Sequence, residues 1–175
     1  RIWHTPCKEA VYDRASGRRY TYGDLGDRAN RLAAFLVEER GLSSGDVVAL
    51  ASENRTAFID AFYASCLTGI VITTYNCLLR IAFVSERHRG VMEDCLRSTG
   101  VECELVSLDG DVSDDGRSAY DRIVEGEWGG GGSLLPADFD FEDTQMLVHT
   151  GGTTGMPKAA MLSFRAVFYN AMSEL

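Results

Sequence analysis

Short apolar runs alternate with amphipathic stretches along most of the chain. β-prone residues at 10–13 and 18–22 flank a polar turn, and this pattern predicts a hairpin. Apolar residues then recur at helical spacing over 24–40, with charged residues between them. A continuous apolar run at 47–51 is typical of a strand that is covered on both faces. The first part of the chain therefore predicts a hairpin, a helix and a buried strand, in that order.

The same alternation continues towards residue 175. Further strands are predicted at 70–75, 81–84, 102–108 and 145–149. Further helices are predicted at 54–67, 86–98, 120–127 and 165–175. Strands and helices that alternate in this way predict an α/β fold, in which βα repeats form a mostly parallel sheet flanked by helices.

Residues with capping chemistry lie at the ends of the predicted helices. Thr21, Asn54 and Ser163 each precede a periodic stretch, and their side chains can accept a hydrogen bond from the first helical turn. Gly41 and Gly69 follow periodic stretches and are predicted to end them.

Composition and charge restrict the partners. Hydrophobic residues make up 45% of the 175 residues, which is enough for a buried core. The formal net charge of −9 opposes binding to phosphate backbones, so no nucleic-acid partner is expected. A bound polyanion must therefore be held by local hydrogen-bond donors and local cations.

Cysteine usage and hydropathy favour a cytoplasmic protein. The five cysteines are odd in number and include no C-x-x-C pair, and the three histidines are scattered. We therefore expect reduced thiols, no disulfide framework and no metal site formed by this chain. No apolar run approaches the ~20 residues that a membrane-spanning helix needs, so no transmembrane segment is predicted.

The stretch 146–158 joins an apolar strand directly to a loop of glycine and threonine. Glycines allow backbone N–H groups to converge on an anion, and threonine hydroxyls add further donors. A lysine at the end of the loop adds a mobile positive charge. The residues predicted to bind the phosphates of a nucleotide are Thr150, Gly151, Gly152, Thr153, Thr154, Gly155 and Lys158.

Two common phosphate-binding motifs do not fit this loop. A P-loop needs adjacent Gly and Lys followed by Ser or Thr, whereas two residues separate Gly155 from Lys158 and Ala159 follows. A G-x-G-x-x-G fingerprint fails because Gly151 and Gly152 are adjacent. The alternative is a surface loop that is merely rich in small residues, but the preceding strand, the Thr-Thr pair and the Gly-x-Pro-Lys end favour an anion-binding loop of another class.

The segment 147–158 resembles the AMP-binding loop of the adenylate-forming superfamily. This group contains acyl-CoA synthetases, firefly luciferase and peptide-synthetase adenylation domains, and Gly151 stands where they most often have Ser. Stretches 20–25, 45–50 and 65–76 also resemble early elements of that family.

Two departures from the family pattern stand out. Phe164 stands where many relatives have His, which removes a polar group beside the loop. Arg80 runs directly into Ile81, whereas relatives carry a helix before the corresponding strand. We expect that a segment is missing between these two residues.

The resemblance implies a fold and a reaction. It implies that 1–175 is the N-terminal part of an acyl-CoA synthetase-like large domain, with the rest of that domain and a small C-terminal domain beyond it. It implies that a carboxylic acid, ATP and Mg²⁺ give an acyl-adenylate, and that coenzyme A then takes the acyl group. The loop would hold the β- and γ-phosphates. The catalytic lysine would lie outside this chain, so no catalytic residue is assigned here and the fragment alone is expected to be inactive.

Several functions remain open at this point. A fatty acid is the expected substrate, and an aryl-CoA ligase or an amino-acid adenylation domain are the enzymatic alternatives. A non-catalytic nucleotide- or protein-binding module derived from the same fold is the alternative of another class. The sequence leaves the oligomeric state open.

The remaining polar and aromatic groups favour structural roles. His149 is interpreted as a structural residue at a strand end, and 138–143 as a solvated acidic approach to a strand and not a metal site. The basic cluster 87–89 is interpreted as a solvated helix face. Helical spacing places Phe58, Phe62 and Tyr63 in packing contacts.

Overall fold

The computed structural model describes residues 4–14, 16–74, 79–127, 138–150 and 158–173. Near the amino terminus, strands β1 (Glu9–Tyr12) and β2 (Arg19–Thr21) pair antiparallel. This pairing confirms the hairpin that the sequence predicts. The predicted glycine-rich segment of the phosphate loop, 151–157, lies outside the described residues.

Six further strands form one sheet in the order β6-β5-β3-β4-β7-β8. Their bounds are β3 Val47–Ala51, β4 Val71–Thr73, β5 Ile81–Val84, β6 Glu104–Ser107, β7 Thr144–Thr150 and β8 Lys158–Ser163. Strands β3 to β7 are parallel to their neighbours, and only β8 runs antiparallel, against β7. The predicted mostly parallel α/β sheet is confirmed.

Helices connect and cover these strands. Their bounds are α1 Tyr22–Ala34, α2 Thr56–Thr68, α3 Glu86–Thr99, α4 Ala119–Arg122 and α5 Phe164–Ser173. A single π-helical turn follows α1 at Phe35–Glu39, and a further turn follows α4 at Ile123–Glu127, where Gly126 leaves the helical conformation with φ +113°. The helix predicted over 24–40 corresponds to α1 and the π-helical turn that follows it. The helix predicted over 120–127 corresponds to α4 and the turn that follows it.

The strands bury different side chains on their two faces. Val48 and Leu50 of β3 face the main core, which α1 and α2 cover. Ala49 and Ala51 of the same strand face a smaller cluster with Met92 of α3. This two-residue period on a strand buried on both sides explains why β3 is a continuous apolar run in the sequence.

Two predicted caps have different outcomes. The Thr21 hydroxyl accepts a hydrogen bond from the Asp24 backbone at 3.1 Å, and the Asp24 carboxylate accepts one from the Thr21 backbone at 2.8 Å, so the predicted Thr21 cap is confirmed. Asn54 as the cap of α2 is wrong, because Arg55 holds the extended backbone that precedes the first turn. Asn54 lies one residue outside that position.

Strand β8 is an element that the sequence pattern did not predict. It begins with Lys158 and two alanines, which have low β propensity, and its first four residues are exposed. Its position depends on pairing with β7, through partners such as Leu147 with Met161 and Val148 with Ala160. The sheet edge is therefore a hairpin whose second strand is specified by its neighbour.

A buried charged network joins α1, α2 and α4. Arg28 donates to Asp60 at 2.8 Å, and the Tyr120 hydroxyl donates to the same carboxylate at 2.9 Å. Arg28 is 6% exposed and Asp60 is 0% exposed. Burial raises the pKa of the Asp60 carboxyl, while the hydrogen bonds from Arg28 and Tyr120 oppose that shift. Three helices that are distant in sequence are thereby fixed at one point.

We expect Asp60→Asn to destabilise the fold by about 3–5 kcal/mol, because it removes the buried carboxylate that pairs with Arg28 and leaves that guanidinium only the longer contact with Glu125, at 3.8 Å. Urea unfolding followed by circular dichroism measures the change. The control is Asp94→Asn, which breaks an exposed ion pair with Arg97 on α3 and should change the free energy of unfolding little. Equal effects of the two substitutions would contradict a structural role for the buried network.

Gly69, which ends α2, supports a second prediction. Its φ is +71°, and an added Cβ would collide with the side chain of Ser44. Gly100 ends α3 with φ +68° and has nothing within 4 Å of an added Cβ. We expect Gly100→Ala to cost about 1–2 kcal/mol of unfolding free energy from backbone strain alone. Gly69→Ala should cost more, and equal costs in thermal unfolding would show that the Ser44 contact adds no strain.

Candidate functional site

The hairpin β7–β8 holds the two ends of the predicted phosphate loop. Thr150 ends β7 and Lys158 begins β8, and the two residues are directly paired across the hairpin. The predicted residues Gly151, Gly152, Thr153, Thr154 and Gly155 lie outside the described residues. Their roles therefore stay predictions, while the two terminal residues of the loop are brought together.

The loop leaves the sheet at the carboxyl end of its parallel strands. Strand β7 is parallel to β4, with Thr73 of β4 paired to Leu147 of β7. Because β4 is in turn parallel to β3, Thr150 lies on the edge at which the other parallel strands end. Ligands of open α/β sheets bind outside this edge. The two ends of the loop, Thr150 and Lys158, therefore lie at the edge where ligands of such sheets bind.

Polar side chains that follow β3 and β5 interact along the same edge. The Ser85 hydroxyl lies 2.8 Å from Nδ1 of His88 and 3.3 Å from the carboxylate of Glu53. Arg87 also donates to Glu53, at 3.3 Å. A hydrogen bond from its own backbone N–H, together with those from Ser85 and Arg87, lowers the pKa of the Glu53 carboxyl. These side chains are therefore hydrogen-bonded to one another.

A polar cleft of about 300 Å³ lies beside the β1–β2 hairpin. Three arginines line it, and each is paired with a carboxylate: Arg18 with Glu125, Arg28 with Asp60 and Arg55 with Asp109. Since each of these guanidinium groups has a counter-charge, the cleft offers no surplus cation for an anionic ligand. We assign it a structural role.

His149 lies in β7 next to Thr150, with Ala159 as its partner on β8. Its Nδ1 is buried and makes no hydrogen bond within the described structure. The structural interpretation of His149 stays a prediction.

The acidic stretch 138–143 forms a turn before β7. The Asp140 backbone donates to the Asp143 carboxylate at 2.8 Å, and the Asp140 carboxylate accepts from the Glu142 backbone at 2.8 Å. Glu142 pairs with Arg165 of α5. Among the described residues, no group of three or more His, Cys, Asp or Glu is arranged to hold a metal ion. These carboxylates shape the connection into β7.

Phe164, which stands where many relatives have His, packs in the interior. It is buried at the start of α5, and its ring stacks on Phe139 at 4.1 Å between ring centroids. The expectation that Phe164 removes a polar group beside the loop is wrong, because Phe164 follows Ser163, which is paired with Thr144 at the end of the hairpin opposite Thr150 and Lys158. The apolar ring anchors α5 to the segment that leads into β7.

The other interpreted residues also have structural roles. Phe58 and Phe62 of α2 pack against the main core, as their spacing predicts. Arg87 and Arg89 of the basic cluster lie in ion pairs, with Glu53 and Glu86. The described cysteines are free thiols, namely Cys7, Cys66, Cys95 and Cys103. No described helix is both long enough and apolar enough to span a bilayer.

Solved structures of adenylate-forming enzymes share this fold. An anthranilate CoA ligase, AuaEII, solved with anthranoyl-AMP, superposes with a TM-score of 0.79 at 18% identity and covers 96% of this chain and 34% of its own. MatB from Rhodopseudomonas palustris superposes with a TM-score of 0.72 at 25% identity, over 96% of this chain and 34% of its own. The fold is therefore that of the N-terminal part of these enzymes.

Curated relatives match the sequence over most of its length. The 4-coumarate–CoA ligase 4 of Arabidopsis thaliana is 27% identical over an alignment of 175 positions, which covers 90% of this chain and 30% of the relative. The 3-oxocholest-4-en-26-oate–CoA ligase of Rhodococcus rhodochrous is 30% identical over 171 positions, which cover 87% of this chain and 30% of the relative. The chain thus spans about a third of the length of these proteins.

The family model described as AMP-binding enzyme matches residues 2–174, which is nearly the whole chain. The match includes the β7–β8 hairpin and the loop between its strands. The chain belongs to the AMP-binding enzyme family.

Proposed function

We propose that the protein to which this chain belongs activates a carboxylic acid with ATP and then transfers the acyl group to coenzyme A. A carboxylate oxygen attacks the α-phosphorus, the bond to the β-phosphate oxygen breaks, and pyrophosphate leaves. The thiol sulfur of coenzyme A then attacks the acyl carbonyl carbon, loses its proton, and displaces AMP. Family membership and the CoA-ligase relatives support this proposal.

One observation carries the assignment of the phosphate site to this chain. The paired residues Thr150 and Lys158 close a loop of glycines and threonines at the carboxyl edge of a parallel sheet. A hairpin that joins both ends of the loop limits the conformations of the seven residues between them. Backbone donors in such a loop lose less entropy when they bind an anion.

The first half-reaction brings two anions together, so charge neutralisation is the main physical requirement. In the proposed site, hydroxyls of Thr150, Thr153 and Thr154 and loop N–H groups donate to the β- and γ-phosphates. Lys158 provides a positive charge that stabilises the leaving pyrophosphate. The net charge of −9 on these 175 residues opposes anion binding, so local donors and a local cation favour it.

Magnesium accompanies the triphosphate in this proposal. Mg²⁺ keeps several waters and binds through phosphates with one or two carboxylates, so it does not require an all-protein site. When bound, the ion neutralises phosphate charge, and we assign it no ligand from this chain.

The substrate class is a finer part of the proposal. We propose a fatty acid, and the 4-coumarate and cholestenoate ligases among the relatives support an acid carried on a large apolar group. The aryl-CoA ligase alternative is supported by the 4-coumarate relative. We expect the protein to act in the reducing cytoplasm, where free thiols persist.

A substitution at Lys158 tests the site directly. We expect Lys158→Ala in the full-length enzyme to lower kcat/KM for ATP–pyrophosphate exchange by about 10²–10³-fold, the size found when one donor to a developing charge is lost. Lys8→Ala is the matched control, because Lys8 is the chain's other lysine and is exposed near β1. Equal activities of the Lys158→Ala and wild-type enzymes would contradict the assignment.

A panel of carboxylic acids tests the substrate class. We expect pyrophosphate release by the full-length enzyme to be fastest with a fatty acid, compared with 4-coumarate and free amino acids. The 175-residue chain alone should release none, because its relatives are about three times as long. A full-length protein that binds ATP but releases no pyrophosphate with any acid would favour the non-catalytic binding module.

A further inference from the structure

Strand β7 contains one more residue than the facing stretch of β8. Thr144 is paired with Ser163, and the next pair joins Met146 to Leu162, so Gln145 lies between two consecutive pairs of the ladder. One extra residue on one strand of an antiparallel pair is a β-bulge. The bulge at Gln145 therefore shifts the register of every pair beyond it by one position.

This shift decides which residue of β7 lies opposite Lys158. In the observed register, Lys158 is paired with Thr150. If Gln145 were paired regularly with Leu162, the same count along both strands would bring Lys158 opposite His149. The difference is one residue, or about 3.4 Å along an antiparallel strand. The bulge therefore sets the position of the lysine relative to the end of β7.

Contacts of α5 fix the end of β8 that lies before the bulge. The Phe164 backbone donates to the Asp143 carbonyl at 3.1 Å, and the Arg165 backbone donates to the Phe141 carbonyl at 2.8 Å. The Phe164 ring also stacks on Phe139. These contacts hold the start of α5, together with the end of β8 that precedes it, against the turn that leads into β7.

The neighbouring strand β4 fixes β7 beyond the bulge. Ile72 is paired with Met146, and Thr73 is paired with Leu147. The hydroxyl of Thr73, which is buried, also donates to the Leu147 carbonyl at 3.4 Å. Sliding β7 along β4 would break these contacts. The hairpin is thus held on both sides of Gln145, and the bulge joins two stretches that are out of step by one residue.

The side chain of Gln145 keeps the extra residue at this position. It is 1% exposed, and its amide Nε2 donates to Sγ of Cys66 on α2 at 3.2 Å. A buried amide requires hydrogen-bond partners in the interior. The bond to α2 therefore favours the bulged backbone, in which this amide is buried, over a regular ladder that would move Gln145 to another position relative to α2.

We propose that Gln145 is a positioning residue for the phosphate loop. Its amide, bonded to Cys66 of α2, holds the bulge that places Lys158 opposite Thr150. Gln145 acts through the backbone of the hairpin, so it sets where the two ends of the loop meet. The effect on catalysis rests on the proposed function, whereas the effect on the register of the hairpin does not.

Cysteine cross-linking in the full-length protein measures the register. Val148→Cys with Ala160→Cys puts thiols on directly opposed residues in the observed register, and Val148→Cys with Ala159→Cys does so only after a slip of one residue. All three positions are exposed to an oxidant. We expect the first pair to form the disulfide in higher yield, with peptide mapping by mass spectrometry to separate it from bonds to native cysteines.

Gln145→Val is the test substitution. Valine favours a regular strand and offers Cys66 no donor. We expect this variant to reverse the order of yields, so that the pair at positions 148 and 159 gives more disulfide than the pair at 148 and 160. In a variant without added cysteines, kcat for ATP–pyrophosphate exchange should fall by about 10²-fold, because the lysine is displaced. An unchanged order of yields would overturn the proposal.

Deletion of Gln145 separates a role in register from a role in packing. The deletion removes the extra residue, and Thr144 then precedes Met146 directly, as their partners on β8 already follow one another. We expect the deletion variant to keep the observed register and more exchange activity than Gln145→Val. A residue that serves only to fill space would be at least as harmful when deleted, so the opposite order of activities would contradict the proposal.

Substitutions of Cys66 test the anchor without a change at Gln145. Cys66→Ser keeps an acceptor for the amide and should keep the observed register, whereas Cys66→Val removes the acceptor and should raise the yield of the slipped pair. Cys95→Val, at an exposed site on α3, is the matched control and should change neither yield. Equal yields in the Cys66→Ser and Cys66→Val variants would overturn the role of this bond.

The two readouts separate this proposal from the proposed function. The disulfide yields are measured without nucleotide and report the register alone. A register that slips in Gln145→Val while ATP–pyrophosphate exchange stays unchanged would uphold the role of Gln145 in the hairpin and would contradict the phosphate site between Thr150 and Lys158.

Discussion

The antiparallel pairing of β8 with β7 is the interaction on which the proposed site depends. Strand β8 has little intrinsic tendency to be a strand, and its first residues are exposed. Its hydrogen bonds to β7 hold Lys158 opposite Thr150 and close the intervening loop at the carboxyl edge. Without this pairing, the two ends of the loop would not be held together, and binding an anion would cost more conformational entropy.

The rest of the fold keeps β7 in its place. Strand β7 is paired to β4, β4 to β3, and β3 lies at the centre with both faces buried. On one side, α1 and α2 form the main core, and the Arg28–Asp60 pair fixes these helices to each other. Phe164 stacks on Phe139 and ties α5 to the segment before β7. The two ends of the loop are therefore held by a rigid support.

The parts that could be predicted from sequence are those with local causes. Strand β5 and the Thr21 cap follow from an apolar run and from a hydroxyl–carboxylate pair three residues apart. Strand β8 could not be predicted, because its partner strand defines it. The bond between Arg28 and Asp60 joins residues 32 apart in the chain, and no local pattern indicates it. For the site, motif resemblance identified the loop residues, and only the structure located its two ends on one hairpin.

The most direct test of the central claim is the structure of the full-length protein with ATP and magnesium. The account predicts that the β- and γ-phosphates lie in the loop between Thr150 and Lys158, beyond the carboxyl end of β7. Density for the triphosphate in the cleft lined by Arg18 and Arg55, with the β7–β8 loop empty, would contradict it.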